Sequence, residues 1–397
     1  MSSKTVNASA RGIDTYLKKI KQQGKYRQRQ VFSCDDTKSL INFCSNDYLA
    51  LADNPSLKAA YQEGYARFSC GSGASAVISG YHPVHKQCES LLCDLFQEGD
   101  AVLFSSGYAA NLSVVALLTT LQLPLWIDKK IHASWYDGIR LNRAIYRRYP
   151  HLQVDALINS NKQQETAIIT EGIFSMSGQF APISALMPIC ANKSSEIQCI
   201  VDEAHSFGVV GPHGLGVVAE YPEFSKYVPL RVITFGKALA GQGAAVIGDA
   251  GWIEALIQQA RSYIYSTAIS PAQVYGLKHA LQIVYNADER RQTLQQIIQY
   301  FNEKAADSLF RWQLSYSPIQ QLQLGCPHVA EKLSQFLLEK GIYCRAIRQP
   351  TVTLAETGLR VVLNYQHTPV CIDRLFAALF QFQENFAIIP SINTSQT

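Results

Sequence analysis

An α/β fold, a mainly parallel sheet with helices on both faces followed by a smaller C-terminal α+β domain, is predicted by three observations. Between about residues 100 and 250, short apolar runs alternate with helical stretches: A-V-L-F, P-L-W-I-D, A-I-I-T-E-G, I-Q-C-I-V-D, R-V-I-T-F and G-A-A-V-I-G. Asp128, Glu171, Asp202 and Thr234 each directly follow such a run, at the strand ends where sheets of this kind hold ligands. A length of 397 residues, 47% of them hydrophobic, is enough for one large and one small domain. The expected division is 1–45, a helical arm and strand; 46–275, the large ligand-binding α/β domain; and 276–397, a linker helix and the small α+β domain.

The elements follow in order. Residues 12–30 carry helical spacing at Ile13, Tyr16, Leu17 and Ile20 with a stop at Gly24, which predicts a docking arm. S-L-I-N-F-C-S-N-D-Y-L-A-L reads as a strand and turn. C-G-S-G-A-S-A-V-I-S-G-Y reads as a glycine-rich loop ahead of a helix that begins near His85. Leu112 to Ile127 is apolar but broken by Thr119, Thr120, Gln122 and Pro124, so it predicts a buried helix and its exit loop and not a membrane span. Ala272 to Arg311 is strongly helical. G-I-Y-C-R-A-I and L-R-V-V-L-N are strand candidates of the last domain, and the tail beyond Ala387 turns polar.

The chemistry starts at Lys237 in V-P-L-R-V-I-T-F-G-K, because I-Q-C-I-V delivers Asp202 and His205 to a neighbouring strand end. An ordinary lysine, with a pKa of about 10.4, is an ammonium at neutral pH and no nucleophile. Near another cation, in an apolar pocket or joined to an aldehyde cofactor, it becomes a covalent catalyst. A buried carboxylate such as Asp202 suits pyridoxal phosphate for a second reason: facing the pyridine nitrogen, it keeps the ring protonated and able to accept electrons. Either residue alone is as well explained as a helix cap or a solvated lysine; the pair together is not. S-S-G-Y-A-A-N, after A-V-L-F, adds Gly107 and Tyr108 at a helix N-terminus, where N–H groups and the helix dipole favour a phosphate.

Asp202 to His205 also spell D-E-A-H, found in nucleic-acid-dependent ATPases. That function needs a phosphate loop, yet the Gly-Lys pairs, Gly24-Lys25 and Gly236-Lys237, are not followed by Ser or Thr. The net charge of +4 demands no nucleic-acid partner. Ten cysteines without C-x-x-C pairs argue against a metal ribbon, and Pro83 disfavours a helix through both His82 and His85, so no metal is expected. The opening residues lack an apolar signal core, which makes the cytoplasm the expected location.

Taken in order, N-F-C-S-N-D-Y-L-A-L, G-S-G-A-S-A-V-I-S-G-Y-H-P-V-H, F-S-S-G-Y-A-A-N, I-H-A-S-W-Y-D-G, T-E-G-I-F-S-M-S-G, V-D-E-A-H-S-F-G, T-F-G-K-A-L, Y-S-T-A-I-S-P and A-I-R-Q-P-T-V resemble the alpha-oxoamine synthases, fold-type I pyridoxal-phosphate enzymes. The resemblance covers nearly the whole chain and implies a fold-type I transferase. It implies that Lys237 holds the cofactor, Asp202 pairs with its ring nitrogen and His132 stacks on the ring. Ser175, His205 and Thr234 match cofactor contacts, and Gly107 and Tyr108 match the phosphate turn. Ser266 and Thr267 match residues that reach the phosphate of the neighbouring subunit, which implies a homodimer. Arg27, Asn46, His132, Arg348 and Thr351 match substrate contacts, an arginine fork suiting a carboxylate.

The branch most resembled condenses L-alanine with a pimeloyl thioester, carried by acyl-carrier protein or coenzyme A, in biotin biosynthesis. Sister branches pair glycine, serine or another amino acid with other acyl-CoA thioesters. Ser177, Gln349, Glu203 and Ser206 depart from the usual pattern, the last two standing where D-D-A-H-G is common; none removes a catalytic group.

Overall fold

The computed structural model describes residues 3–23, 26–27, 29–31, 40–158, 165–192 and 197–386. Its described residues form two compact units: one of residues up to Ser45, Ile298–Leu363 and from His367 onward, the other of Asn46–Ile297 with Asn364–Gln366.

Helix α1, Ser3–Gln22, starts nine residues before the apolar spacing does, because nothing in S-K-T-V-N-A-S-A-R breaks a helix already nucleated. The stop predicted at Gly24 lies outside the described residues. The strand expected around Ile41 is short: β1 is Ile41–Asn42.

In the larger unit, α2 (Pro55–Arg67) leads to the glycine-rich segment, which contains a single π-helical turn, Ala76–Gly80. Helix α3, Pro83–Phe96, has His82 as its N-cap and Pro83 in its first turn, so the proline starts the helix that holds His85. Then β2 (Asp100–Phe104), α4 (Gly107–Thr120), β3 (Leu125–Asp128), α5 (Ala133–Asn142), β4 (Tyr146–Tyr149), β5 (Thr166–Glu171), α6 (Ile183–Cys190), β6 (Ile197–Asp202), β7 (Leu230–Thr234), β8 (Ala244–Gly248), α7 (Ala250–Gln259) and α8 (Pro271–Tyr285) follow. The sheet runs β2-β8-β7-β6-β5-β3-β4, with β4, β3, β5, β6 and β7 parallel and β8 antiparallel to both neighbours. Strand β4 escaped the sequence pattern because Y-R-R-Y is an edge strand with three of its four residues exposed, so no apolar run marks it.

Helix α4 is the centre of this unit's core: Ala110, Val114, Val115, Leu117 and Leu118 are buried against β-strand residues such as Val102, Ile127 and Val246. Helix α5 lies close on α4 because Gly138 has no side chain; a Cβ there would meet Val115 Cβ at 3.1 Å and Leu112 Cα at 3.3 Å. The close approach brings Ser134 and Trp135 of α5 beside Asn111 and Asp202.

The helical stretch from Ala272 divides at Asn286 and Ala287 into α8 and α9, Asp288–Ala306. The smaller unit adds β9 (Trp312–Gln313), β10 (Ile319–Gln323), α10 (Pro327–Glu339), β11 (Ile342–Tyr343), β12 (Ala346–Ile347), β13 (Gly358–Val362) and α11 (Pro369–Phe386). Its antiparallel sheet runs β12-β13-β10-β9, and β1 pairs with β11 in parallel. The tail from residue 387 lies outside the described residues. Among those residues no helix is long and apolar enough to cross a membrane, and no three His, Cys, Asp or Glu side chains are grouped as a metal site.

Candidate active site

Asp202, Glu171, Asp128 and Thr234 end four parallel strands, β6, β5, β3 and β7, at the same edge of the sheet. Asp202 is the centre of the arrangement. It is 5% exposed, and its Oδ2 accepts from Asn111 Nδ2 at 2.9 Å and Trp135 Nε1 at 3.1 Å, while Oδ1 accepts from the Ala204 N–H at 3.0 Å. A carboxylate has about four acceptor positions, so three donors leave room for one more.

Asn111 joins Asp202 to His132. Its amide also donates to Ser134 Oγ at 3.0 Å, and Ser134 Oγ lies 2.8 Å from His132 Nδ1. The Ser134 N–H donates to the same Nδ1 at 3.3 Å, so that nitrogen is the acceptor and the neutral ring carries its proton on Nε2. Burial lowers the His132 pKa; the Asp202 charge opposes this and the Lys237 charge adds to it. Neutral imidazole is therefore favoured. Glu171, fully buried, is pushed up to about 8, first by burial and then by the Asp202 charge, with Lys237 acting against the rise. One of its oxygens accepts from the Ser175 N–H at 3.0 Å, and the Ser175 and His132 backbone N–H groups both act against the rise. Lys237 thus acts electrostatically on both His132 and Glu171. Its half-buried side chain leaves a turn closed by the Ala240 N–H on the Lys237 carbonyl at 2.9 Å.

His205 is held from below. Its Nδ1 is 2.5 Å from Tyr48 Oη, which is itself 3.3 Å from Asn46 Oδ1. The two pattern departures next to it explain each other. Glu203 is wholly buried and accepts from the Ser206 hydroxyl, from the Val217 N–H at 3.0 Å and from the Val218 N–H at 2.9 Å. The longer carboxylate and the added hydroxyl form one brace for the loop that leads to Val218.

At the start of α4, Ser106 takes the Ala109 N–H on its hydroxyl at 3.1 Å and the Ala110 N–H on its carbonyl at 3.1 Å. The N–H groups of Gly107 and Tyr108 are the two of the first turn that Ser106 does not take. Gly107 lies against Thr234: a Cβ there would come within 2.4 Å of Thr234 Cγ2. Only glycine permits this approach of a helix N-terminus to a strand end.

An aldehyde on an aromatic ring with a basic nitrogen and a phosphate fits these residues: a lysine, a buried carboxylate with acceptor capacity and a helix start stripped of side chain. Ser266 and Thr267 are exposed, between a short helix at Arg261–Ile264 and α8. Arg27, Arg348 and Thr351 belong to the smaller unit. There Arg348 pairs with Glu331 and donates to the Tyr26 carbonyl at 2.8 Å, beside a polar cavity of about 380 Å³ also lined by Gln30 and Arg345. Sequence reasoning passed over Asn111, Ser134, Trp135 and Tyr48 as single residues, although each stands inside a quoted motif; a buried polar side chain on an otherwise apolar helix is the signal that marks Asn111.

Comparison with known proteins places this geometry. The aminotransferase class I and II family pattern matches residues 38–379. An 8-amino-7-oxononanoate synthase of Marinobacter nauticus is 37% identical over 372 residues, covering 91% of this chain and 94% of that protein. A crystal structure of 8-amino-7-oxononanoate synthase from Francisella tularensis is 33% identical, covers 88% of this chain and 100% of that one, and superposes with a TM-score of 0.78. A serine palmitoyltransferase solved with pyridoxal phosphate is 26% identical, covers 88% and 89% and gives 0.81. With that much of its length matched, the chain belongs to the aminotransferase class I and II family of pyridoxal-phosphate-dependent enzymes, among the 8-amino-7-oxononanoate synthases.

Proposed function

We propose that this enzyme condenses L-alanine with a pimeloyl thioester to give 8-amino-7-oxononanoate, carbon dioxide and the free thiol of the carrier, acyl-carrier protein or coenzyme A. The observation that carries this is the Asp202 carboxylate, held by Asn111, Trp135 and Ala204 within the electrostatic field shared by His132 and Lys237, in a chain so similar to the 8-amino-7-oxononanoate synthases.

Pyridoxal phosphate, when bound, supplies a sink for the electron pair left on the amino-acid carbon. Asp202 would offer its remaining lone pair to the ring nitrogen and keep a proton there. Neutral His132 would stack on the ring without adding a charge that competes with that proton. Ser175, His205 and Thr234 would contact the ring, and the Gly107 and Tyr108 N–H groups, with Ser266 and Thr267 of a second subunit, would hold the phosphate. Lys237 would hold the cofactor's aldehyde carbon and, once free, its Nζ would take the alanine α-proton as general base. The alanine α-carbon bonds to the thioester carbonyl carbon, the C–S bond breaks and the sulfur leaves as thiolate, which takes a proton from water to become the free thiol. The alanine carboxylate departs as carbon dioxide and Lys237 returns a proton to the carbon. Arg27, Asn46, Arg348 and Thr351 bind the substrates' polar ends. The protein acts as a homodimer in the cytoplasm.

The test is thiol release by the purified protein given pimeloyl-CoA or pimeloyl-acyl-carrier protein with L-alanine, glycine or L-serine, the product being identified by mass. Release with alanine and the mass of 8-amino-7-oxononanoate is the expected result. A preference for glycine or serine moves the enzyme to a sister branch, and ATP hydrolysis with no thiol release would overturn the assignment altogether.

A further inference from the structure

His85 is a buried histidine, 2% exposed, that no step above uses. Its ring is fixed at both nitrogens. The His82 N–H donates to Nδ1 at 3.1 Å, and since a backbone N–H can only donate, Nδ1 carries the lone pair and Nε2 carries the proton. Nε2 lies 2.7 Å from the Ile269 carbonyl, to which it therefore donates. Ser72 Oγ donates to the same carbonyl at 2.6 Å. One residue earlier, the Ala268 N–H donates to the Ala74 carbonyl at 3.0 Å.

These bonds come from two different elements, the glycine-rich segment (Ser72, Ala74) and the first turn of α3 (His85), and converge on two adjacent residues, Ala268 and Ile269. Immediately before them stand Ser266 and Thr267, both exposed. A pair of exposed hydroxyls on an irregular segment has many orientations, whereas a carbonyl with two side-chain donors fixes the chain direction one to three residues away. The neutral, singly oriented His85 ring is suited to this: with one nitrogen accepting and the other donating, rotation or protonation breaks a bond.

The geometry points to His85, with Ser72, as a positioning residue that sets the Ser266–Thr267 hydroxyls for the cofactor phosphate of the opposite subunit. This rests on the reading in which those hydroxyls serve the neighbouring subunit. His85 touches neither cofactor nor substrate, so its effect falls on cofactor affinity and leaves turnover at saturating cofactor unchanged.

The experiment measures the dissociation constant of pyridoxal phosphate, by its visible absorbance when joined to Lys237, in the wild type, His85→Ala, His85→Gln, Ser72→Ala and Thr267→Ala. His85→Ala should weaken binding about five- to tenfold, as loss of one buried hydrogen bond does. His85→Gln, whose amide N–H can still donate, should recover most of the affinity, and kcat at saturating cofactor should stay at the wild-type value. Hybrid dimers of His85→Ala with Lys237→Ala give the sharper result. In the hybrid the intact Lys237 is in the chain lacking His85 and is served by Ser266 and Thr267 of the chain that keeps it, so affinity should return to wild type. A hybrid as weak as the His85→Ala homodimer would overturn the inference, because the effect would then be confined to its own chain. Wild-type affinity in His85→Ala, with Thr267→Ala weakened, also overturns it while sparing the reading beneath; wild-type affinity in Thr267→Ala overturns both.

Discussion

Asp202 and Glu203 are consecutive, both are buried carboxylates, and each accepts three hydrogen bonds, yet they do opposite things. Successive residues at a strand end point to opposite sides. Asp202 turns toward Asn111 and Trp135, side chains of α4 and α5, and shares its surroundings with His132 and Lys237. Glu203 turns into the protein, where its partners are a hydroxyl and two backbone amides of a loop. The number of hydrogen bonds does not separate the carboxylate proposed to serve the cofactor from one that braces a loop. What separates them is the surroundings: Asp202 shares its with His132 and Lys237, whereas the bonds of Glu203 go to a loop.

The largest expected effect breaks the comparison outright. Asp202→Asn keeps the shape and removes the charge, and kcat should fall by about 10²–10³ with little change in melting temperature. Replacing Glu203 by Gln should do the reverse: a loss of about 1.5–3 kcal/mol in urea unfolding, since the lost bonds are charge-assisted, with kcat unchanged within about threefold. A catalytic collapse in Glu203→Gln at a temperature where it remains folded would show the two carboxylates to be one unit. The Glu203–Ser206 brace can be tested on its own terms. Glu203→Asp and Ser206→Gly should each destabilise, but the double variant should be more stable than their sum by about 0.5–3 kcal/mol. Strict additivity would mean that the two departures from the usual pattern are unrelated. A smaller effect falls on the donor side: Trp135→Phe removes one of the three bonds to Asp202 and should weaken cofactor binding about fivefold, read by titration.

The same pair explains what the sequence made legible. Strands β2, β3 and β5 to β8 were legible because buried strands are apolar runs, and Asp202 stands out as a polar residue directly after one. Strand β4 was not, since an exposed edge strand carries no such run, and β9 and β10 were missed because W-Q and I-Q-Q-L-Q give too little apolar continuity to outweigh loop patterns. Glu203 looked like a departure from a family pattern, and only the fold brings Val217 and Val218 to it. His82 and His85 have a metal-like spacing that Pro83 argues against as one helix, and in the structure Pro83 opens α3 with His82 as its N-cap; the contact of His85 with Ile269 spans 184 residues and has no local signature. Local periodicity finds strands and their ends, but it cannot find partners that topology brings together.

Glu171 extends the comparison to a third carboxylate, on the strand beside Asp202 and in register with it. Burial, reinforced by the Asp202 charge, pushes Glu171 up to about 8, against about 4.3 for an unfolded glutamate. Between those values the folded protein keeps a proton that the unfolded chain has lost. The contribution to stability is therefore fully present below the unfolded value, declines as pH rises through the window, and is gone above the folded value. Glu171→Gln mimics the protonated form at every pH. The advantage of wild type over this variant in urea unfolding should be greatest at pH 4, shrink through pH 6 and 7, and level off by pH 9. A difference that does not change with pH would mean that Glu171 is ionised in the folded protein. In the Asp202→Asn background the window should contract from its upper end, because one of the two causes that raise Glu171 is removed while burial remains. Equal windows in both backgrounds would assign the whole shift to burial and sever the electrostatic link between the two strand ends.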